Sequence, residues 1–239
     1  MRISGSSWDP LFQSIMHNIR PLTLGGHKVL HKPAADAHEA KGTLILLHGY
    51  GADEYDLMGL ANYFDPDLHV LSVRGNGATP FGGASWFDID MLADGSLRFN
   101  VEQALASTSS VISLIESIEK GSEFHADQYL LGGFSQGASI SQLVTLQLRH
   151  RIRGLLIMSG RLTESASALI QDQSVFKGLP VFAGHGQVDQ VIPLAFGREI
   201  VEFWGALPVE LEHHEYAMGH EINPQELEHI QAWLDRLIH

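Results

Sequence analysis

Residues 128–148 read QYLLGGFSQGASISQLVTLQL, and the prediction of the fold starts from them. An apolar run leads into Ser135, and apolar residues follow it at three- and four-residue spacing, as on the buried face of a helix. Residues 133–137 fit G-x-S-x-G, the pattern of a tight turn that lifts a serine hydroxyl above the end of a sheet. Glycines are needed there because the serine backbone is strained and larger neighbours would collide with the strand or the helix. The stretch therefore predicts a strand, a nucleophilic serine and a helix.

Strand and helix patterns alternate on both sides of this turn. Residues 43–47 form a continuous apolar run, as expected of a strand in a parallel sheet whose two faces are covered by helices. The pattern predicts further strands at 27–31, 68–73, 154–159, 179–185 and 209–216, and helices at 54–64, 101–119, 160–172, 192–204 and after Asn223. The final helix has a capped start in Asn223, Pro224 and Glu226. The sequence thus predicts an α/β fold with a mostly parallel, twisted sheet and helices on both faces.

Length and composition fit one domain. A chain of 239 residues that is 44% hydrophobic can bury one large core, and no repeat or linker divides it. Residues 1–25 lack a clear period, so we expect an N-terminal extension there and a single catalytic domain over residues 26–239.

Charge and residue usage exclude several classes of partner. With 28 acidic and 15 basic side chains the net charge is −13, so nucleic acid is not an expected partner. No apolar run is long enough for a membrane span, and the N-terminal residues do not resemble a signal peptide. The absence of cysteine fits a reducing, cytoplasmic location. The histidines are scattered without a metal-binding spacing, so we expect no metal and no cofactor. The sequence leaves a homodimer open.

An acyl-transfer serine needs a histidine base and a carboxylate that orients the base. When the serine lies on a strand-to-helix turn, these partners follow it in the order serine, acid, histidine. Asp189 follows the predicted strand at 179–185, and His220 lies between the last strand and the final helix. His48 and His185 are alternative bases, although neither follows the acid in the chain. Asp172 and Glu221 are alternative acids.

Four motifs together resemble the phospholipase/carboxylesterase family of α/β-hydrolases, which includes the acyl-protein thioesterases. They are HGYGAD at 48–53, GFSQG at 133–137, GQVD at 186–189 and MGHE at 218–221. The resemblance implies an α/β-hydrolase fold and a triad of Ser135, Asp189 and His220. It also implies an oxyanion hole formed by the backbone N–H groups of Tyr50 and Gln136.

The segment 74–96 is rich in glycine and aromatic residues. Long loops of this kind are often functional, so Phe81, Trp86 and Phe87 are candidates for the wall of a substrate pocket. A packed surface loop is the alternative. SWFD at 85–88 resembles a segment of the same family, whereas RGNG at 74–77 lacks the prolines of its thioesterases. That difference leaves the choice between a protein-borne acyl chain and a small ester open.

The sequence as a whole predicts a serine carboxylesterase that hydrolyses small-molecule esters through an acyl-enzyme. One alternative is an acyl-protein thioesterase or lysophospholipase that acts on long acyl chains. A second is a non-catalytic binding protein with the same fold. A third is a metallohydrolase that uses His213, His214 and His220, a set without a recognised ligand spacing.

Overall fold

The computed structural model describes residues 18–80, 82–91, 97–120, 124 and 128–239. Its strands are β1 (Arg20–Leu24), β2 (His27–Lys32), β3 (Gly42–Leu47), β4 (Leu68–Val73), β5 (Gly77–Ala78), β6 (Ala84–Ser85), β7 (Ile89–Met91), β8 (Leu97–Phe99), β9 (Tyr129–Phe134), β10 (Ile152–Met158), β11 (Pro180–Gly186) and β12 (Glu210–Tyr216). Eight of them form one sheet in the order β1-β2-β4-β3-β9-β10-β11-β12. β2 is antiparallel to both of its neighbours, and all pairs from β4 to β12 are parallel. The predicted α/β-hydrolase fold is confirmed.

Helices cover both faces of this sheet. The described α-helices are α1 (Val101–Glu119), α2 (Gln136–Gln147), α3 (Leu194–Gly205) and α4 (Pro224–Ile238). Apolar side chains of α1, α2 and α3 pack together on one face. The other face is covered by α4 and by a 3₁₀ helix at Leu57–Tyr63. The two cores explain why the central strands are apolar along their whole length.

Side-chain caps fix where two of the helices begin. Asn100 Oδ1 accepts a hydrogen bond from the N–H of Gln103 at 3.0 Å, and Asn223 Oδ1 accepts one from the N–H of Glu226 at 2.8 Å. These bonds satisfy donors of the first helical turn that have no partner within the helix. The helices predicted at 101–119 and after Asn223 are confirmed.

The helix predicted at 54–64 is shorter than expected. Asp53 Oδ1 accepts the N–H of Tyr55 at 3.0 Å and so forms a turn, not a helix cap. The chain then forms the 3₁₀ helix at Leu57–Tyr63. Gly59 and Asn62 lie within it, and both are weak helix formers. The helix predicted at 160–172 is also wrong, because that stretch contains only a short 3₁₀ turn at Ser167–Leu169.

The antiparallel edge strand β1 lies within residues 1–25, for which we expected an N-terminal extension. It pairs with β2 from Arg20 opposite His31 to Leu24 opposite His27. The expected domain boundary at residue 26 therefore falls in the turn of a hairpin that belongs to the main sheet. Glycines 25 and 26 occupy this turn with positive φ, a conformation that glycine adopts without steric cost.

The carboxyl ends of β3, β9, β10, β11 and β12 meet at one edge of the sheet, because these strands are parallel. Loops that leave this edge are the usual place for binding residues in open α/β sheets. Within the described residues, no helix has the length and apolar content needed to cross a membrane.

Candidate active site

Ser135 stands between β9 and α2 at the carboxyl edge of the sheet. Its backbone has φ 54° and ψ −114°, a conformation that costs a non-glycine residue about 1–3 kcal/mol. A Cβ atom at Gly133 would overlap the backbone of Gly137, and one at Gly137 would overlap the carbonyl groups of Leu47 and His48. The two glycines are therefore required by close backbone contacts, as the motif predicts.

His220 and Asp189 are paired by a short hydrogen bond. Nδ1 of His220 donates to Oδ2 of Asp189 at 2.7 Å. The other carboxylate oxygen, Oδ1, accepts the N–H groups of Val191 and Ile192, both at 2.8 Å. The Asp189 side chain is fully buried, whereas that of His220 is 16% exposed. This arrangement fixes the orientation of the imidazole and leaves its Nε2 for another partner.

The loops that bear these two residues are packed against each other. The N–H of Gln187 donates to the carbonyl of Tyr216 at 2.7 Å, and that of Val188 donates to the carbonyl of Met218 at 3.2 Å. A Cβ atom at Gly186 would overlap the carbonyl groups of the histidine loop. The pairing of β11 with β12 therefore continues beyond the sheet and holds acid and base in register.

Tyr50 and Gln136 lie beside Ser135 on the wall of one cavity. Gln136 is the first residue of α2, where backbone N–H groups have no partner within the helix. Its buried side chain accepts the N–H of Trp86 at 2.8 Å and donates to the carbonyl of Phe87 at 2.6 Å. These bonds tie the start of α2 to the loop that follows β6.

The alternative bases have other partners. Nδ1 of His48 donates to the carbonyl of Gly49 at 2.7 Å, and its Nε2 accepts the N–H of Gly75 at 2.9 Å. Burial lowers the pKa of His48 and favours this neutral form. His185 donates through Nε2 to the carbonyl of Ile192 at 2.8 Å. Of the three candidate histidines, only His220 lines the cavity that contains Ser135.

The alternative acids are also placed elsewhere. Asp172 is exposed, and its carboxylate accepts the N–H and the hydroxyl of Ser174, both at 2.9 Å. Glu221 is exposed as well. The carboxylate that the described structure brings to His220 is that of Asp189.

The cavity has a volume of about 1220 Å³, and its apolar lining residues lie on two sides of the sheet. One group packs with the core beneath α4 and the 3₁₀ helix: Ile19, Met58, Leu60, Ile222 and Leu227. The other packs with the core beneath α1, α2 and α3: Phe87, Ile89 and Phe99. Ser139 and Arg161 lie on this second side of the cavity wall. The cavity is thus large and has apolar residues on both sides, and Arg161 adds a positive charge on the second side.

Trp86 does not line this cavity, contrary to the sequence prediction. It is 2% exposed and belongs to the core. Its indole N–H donates to the carbonyl of His48 at 2.9 Å, so it supports the segment before Tyr50. Phe87 does line the cavity, and Phe81 lies outside the described residues. An aromatic loop residue can fill either a core or a pocket, and the sequence alone could not separate the two cases.

Arg161 and the apolar residues around the cavity were missed by the sequence analysis. Arg161 follows the end of β10, and this position could have suggested it, because Ser135 and Asp189 also follow strand ends. Leu60 and Leu227 lie on elements far apart in the sequence, and no local pattern predicts that both line one cavity.

The metallohydrolase hypothesis requires His213, His214 and His220 to form one metal site, and the described structure does not group them in this way. Nε2 of His214 lies 3.0 Å from Oε1 of Glu212, and His220 is paired with Asp189. No group of three or more candidate metal ligands occurs among the described residues. The metallohydrolase hypothesis therefore has no structural support.

Residues 32–238 match the model of a protein family described as Phospholipase/Carboxylesterase. An acyl-protein thioesterase 1 from Debaryomyces hansenii is 25% identical over 224 residues, which covers 86% of this chain and 95% of the relative. A carboxylesterase from Bacillus cereus has a TM-score of 0.74 at 24% identity, covering 88% of this chain and 94% of the other. A carboxylesterase from Mesorhizobium loti has a TM-score of 0.75 at 21% identity, and the match covers 91% of this chain and 99% of the other.

Proposed function

Since this chain belongs to the phospholipase/carboxylesterase family and is therefore a serine hydrolase, we propose that it is a carboxylesterase whose nucleophile is Ser135. The observation that supports this most directly is the 2.7 Å bond between His220 and Asp189 at the cavity that contains Ser135. With Nδ1 bound to the acid, Nε2 of His220 is the nitrogen that would take the serine proton.

The mechanism has two steps. Ser135 attacks the ester carbonyl, and His220 first takes the serine proton and then gives it to the departing alcohol. Water hydrolyses the acyl-enzyme with the same histidine as base. The backbone N–H groups of Tyr50 and Gln136 would donate to the oxyanion, a type of stabilisation worth about 3–4 kcal/mol for each donor.

A fluorophosphonate probe tests this proposal directly. It should label Ser135, and peptide mapping should find no second labelled serine. Wild-type protein should also hydrolyse p-nitrophenyl butyrate. Folded protein that neither reacts with the probe nor hydrolyses the ester would rule the proposal out.

A second candidate function is hydrolysis of long acyl chains, as a thioesterase or a lysophospholipase. The apolar residues beneath α4 and the 3₁₀ helix favour it, because Ile19, Met58, Leu60 and Leu227 offer hydrocarbon surface in the cavity that contains Ser135. Several relatives are also named acyl-protein thioesterase 1. Each methylene that finds room there would contribute about 0.8 kcal/mol of binding. A series of p-nitrophenyl esters from acetyl to palmitoyl separates the two functions.

A further inference from the structure

Arg161 lies on the wall of the cavity that contains Ser135 and is held there by two sets of contacts. Its guanidinium carbon is 4.1 Å from the ring centroid of Phe99 and 4.9 Å from that of Phe196. Its backbone carbonyl accepts the hydroxyl of Ser139 at 2.9 Å, which ties the residue to the first turns of α2. The helix that begins after Ser135 thus fixes the backbone of Arg161, and the two aromatic rings fix its guanidinium group.

The charge of Arg161 has no close counter-ion among the described residues. Among the described residues, the guanidinium group donates one long hydrogen bond of 3.5 Å, from Nε to the carbonyl of Leu162. Burial lowers the pKa of Arg161, and the more distant charges of Glu164 and Glu199 only partly oppose this effect. A guanidinium remains charged in proteins, and a partly buried charge without a partner is costly. This cost is recovered if a ligand supplies the anion.

Stacking on aromatic rings uses the faces of a guanidinium and leaves its N–H edge available. That edge matches the geometry of a carboxylate or a phosphate, which can accept two parallel hydrogen bonds. The opposite side of the cavity combines the apolar Met58, Leu60 and Leu227 with acidic residues such as Asp56 and Glu228. Its apolar residues suit a hydrocarbon acyl chain, and its acidic residues would repel an anion. The side with Arg161 thus suits the negatively charged end of an anionic ester, and the opposite side suits its hydrocarbon end.

We propose that Arg161 binds an oxyanion in the alcohol part of the ester substrate, while the acyl chain lies on the apolar side. The substrate class is thus a carboxylic ester of a hydroxy acid or of an alcohol phosphate. This inference rests on the proposed esterase function and adds substrate specificity to it.

The test compares three butyrate esters of matched size. Their alcohol parts are 3-hydroxypropanoate, 2-hydroxyethyl phosphate and the neutral 3-hydroxypropanamide. Hydrolysis is followed by pH-stat at low ionic strength with wild-type protein and with the variants Arg161→Met, Arg161→Lys and, as control, Arg198→Met. Arg198 is exposed and paired with Glu215, and it does not line the cavity of Ser135.

The expected result is a wild-type preference for one or both anionic esters over the neutral one. Arg161→Met should reduce the ratio of kcat/KM for anionic over neutral ester by about 10- to 100-fold, mainly through KM, as expected for loss of a charge-assisted hydrogen bond. Arg161→Lys should keep part of the preference, and Arg198→Met should keep all of it. Comparison of the two anionic esters identifies the carboxylate or the phosphate as the preferred group.

Two outcomes would overturn the proposal. One is a wild-type enzyme that hydrolyses the neutral ester as well as the anionic ones. The other is an Arg161→Met variant in which all three rates fall by the same factor, which would indicate a packing role on Phe99. Wild-type protein that hydrolyses none of the esters, nor p-nitrophenyl butyrate, would instead contradict the esterase function itself.

Discussion

Gly184 leaves the space that the carboxyl group of Glu226 occupies: a Cβ atom at residue 184 would overlap Glu226 Oε1. Glu226 is in the first turn of α4 and is fully buried against β11. Neither of its carboxyl oxygens has a hydrogen-bond partner within the described residues. Burial raises the pKa of this carboxyl group to about 8, because the charged form is poorly solvated there.

This pKa predicts how stability depends on pH. Glu226 ionises in the unfolded chain near its ordinary value of 4.5 but in the folded protein only near 8. The folded state therefore holds more protons between these values, and stability falls as pH rises through this window. Glu226→Gln removes the charge, so the variant should melt at least about 3 °C higher than wild type at pH 9 and near the wild-type temperature at pH 4.5.

The measurement is the thermal midpoint by circular dichroism from pH 4.5 to pH 9. Glu228→Gln is a matched control, because Glu228 is exposed on the same helix. It should change the midpoint by less than about 1 °C at any pH, as surface substitutions usually do. A difference between Glu226→Gln and wild type that does not grow with pH would contradict the buried, neutral carboxyl group.

Ser135→Ala should give a folded protein with turnover reduced on the order of a millionfold, since the nucleophile is lost. The measurement is turnover of p-nitrophenyl butyrate, together with loss of fluorophosphonate labelling. Ser139→Ala is the control, because Ser139 lines the same cavity but donates to the carbonyl of Arg161. It should cost about 1 kcal/mol of stability and less than tenfold in turnover. Near-wild-type activity in folded Ser135→Ala protein would mean that another group is the nucleophile.

Blocking the cavity near Leu227 should reduce activity on esters with long acyl chains. Leu227→Trp adds bulk where a long acyl chain would lie. It should reduce the ratio of kcat/KM for palmitoyl over butyryl p-nitrophenyl ester at least tenfold, because two displaced methylenes are worth about 1.6 kcal/mol. Trp86→Phe is the contrasting variant, since Trp86 is buried beneath His48. It should lower stability and act on all chain lengths alike. An unchanged ratio in Leu227→Trp would place the acyl chain elsewhere.

The turn at Ser135 was predictable because its requirements are local. Glycines 133 and 137 are each needed by backbone atoms that any such turn brings close, so the pattern contains its own steric reason. Asp189 and His220 were predictable by order, since parallel strands bring successive loops to the same edge of the sheet.

Properties that depend on distant partners were not predictable. Glu226 fits a capping box by its spacing, yet its side chain turns inward because Gly184, far away in the sequence, leaves a space. Arg161 gains its position from Phe99 and Phe196, which no local pattern connects to it. Sequence periodicity specifies which face of an element is buried, but it does not specify which residue of another element fills the space opposite.

The last prediction concerns the acid, for which the sequence offered three candidates. Asp189→Asn keeps the shape of the side chain, and its carbonyl oxygen can still accept the N–H groups of Val191 and Ile192. Its amide N–H then faces Nδ1 of His220, which favours the wrong imidazole tautomer. The expected cost is roughly 10⁴ in turnover.

Asp172→Asn and Glu221→Gln are the matched controls, because both carboxylates are exposed and neither is hydrogen bonded to His220 in the described structure. Each should cost less than tenfold. Turnover of one activated ester is measured for all three variants, with circular dichroism to confirm the fold. The pH profile adds a second readout: a shifted base titration in Asp189→Asn alone would link the loss to His220, since the paired carboxylate stabilises the imidazolium. If Asp189→Asn were nearly as active as wild type while one control was inactive, the acid would be misassigned, although the serine mechanism would stand.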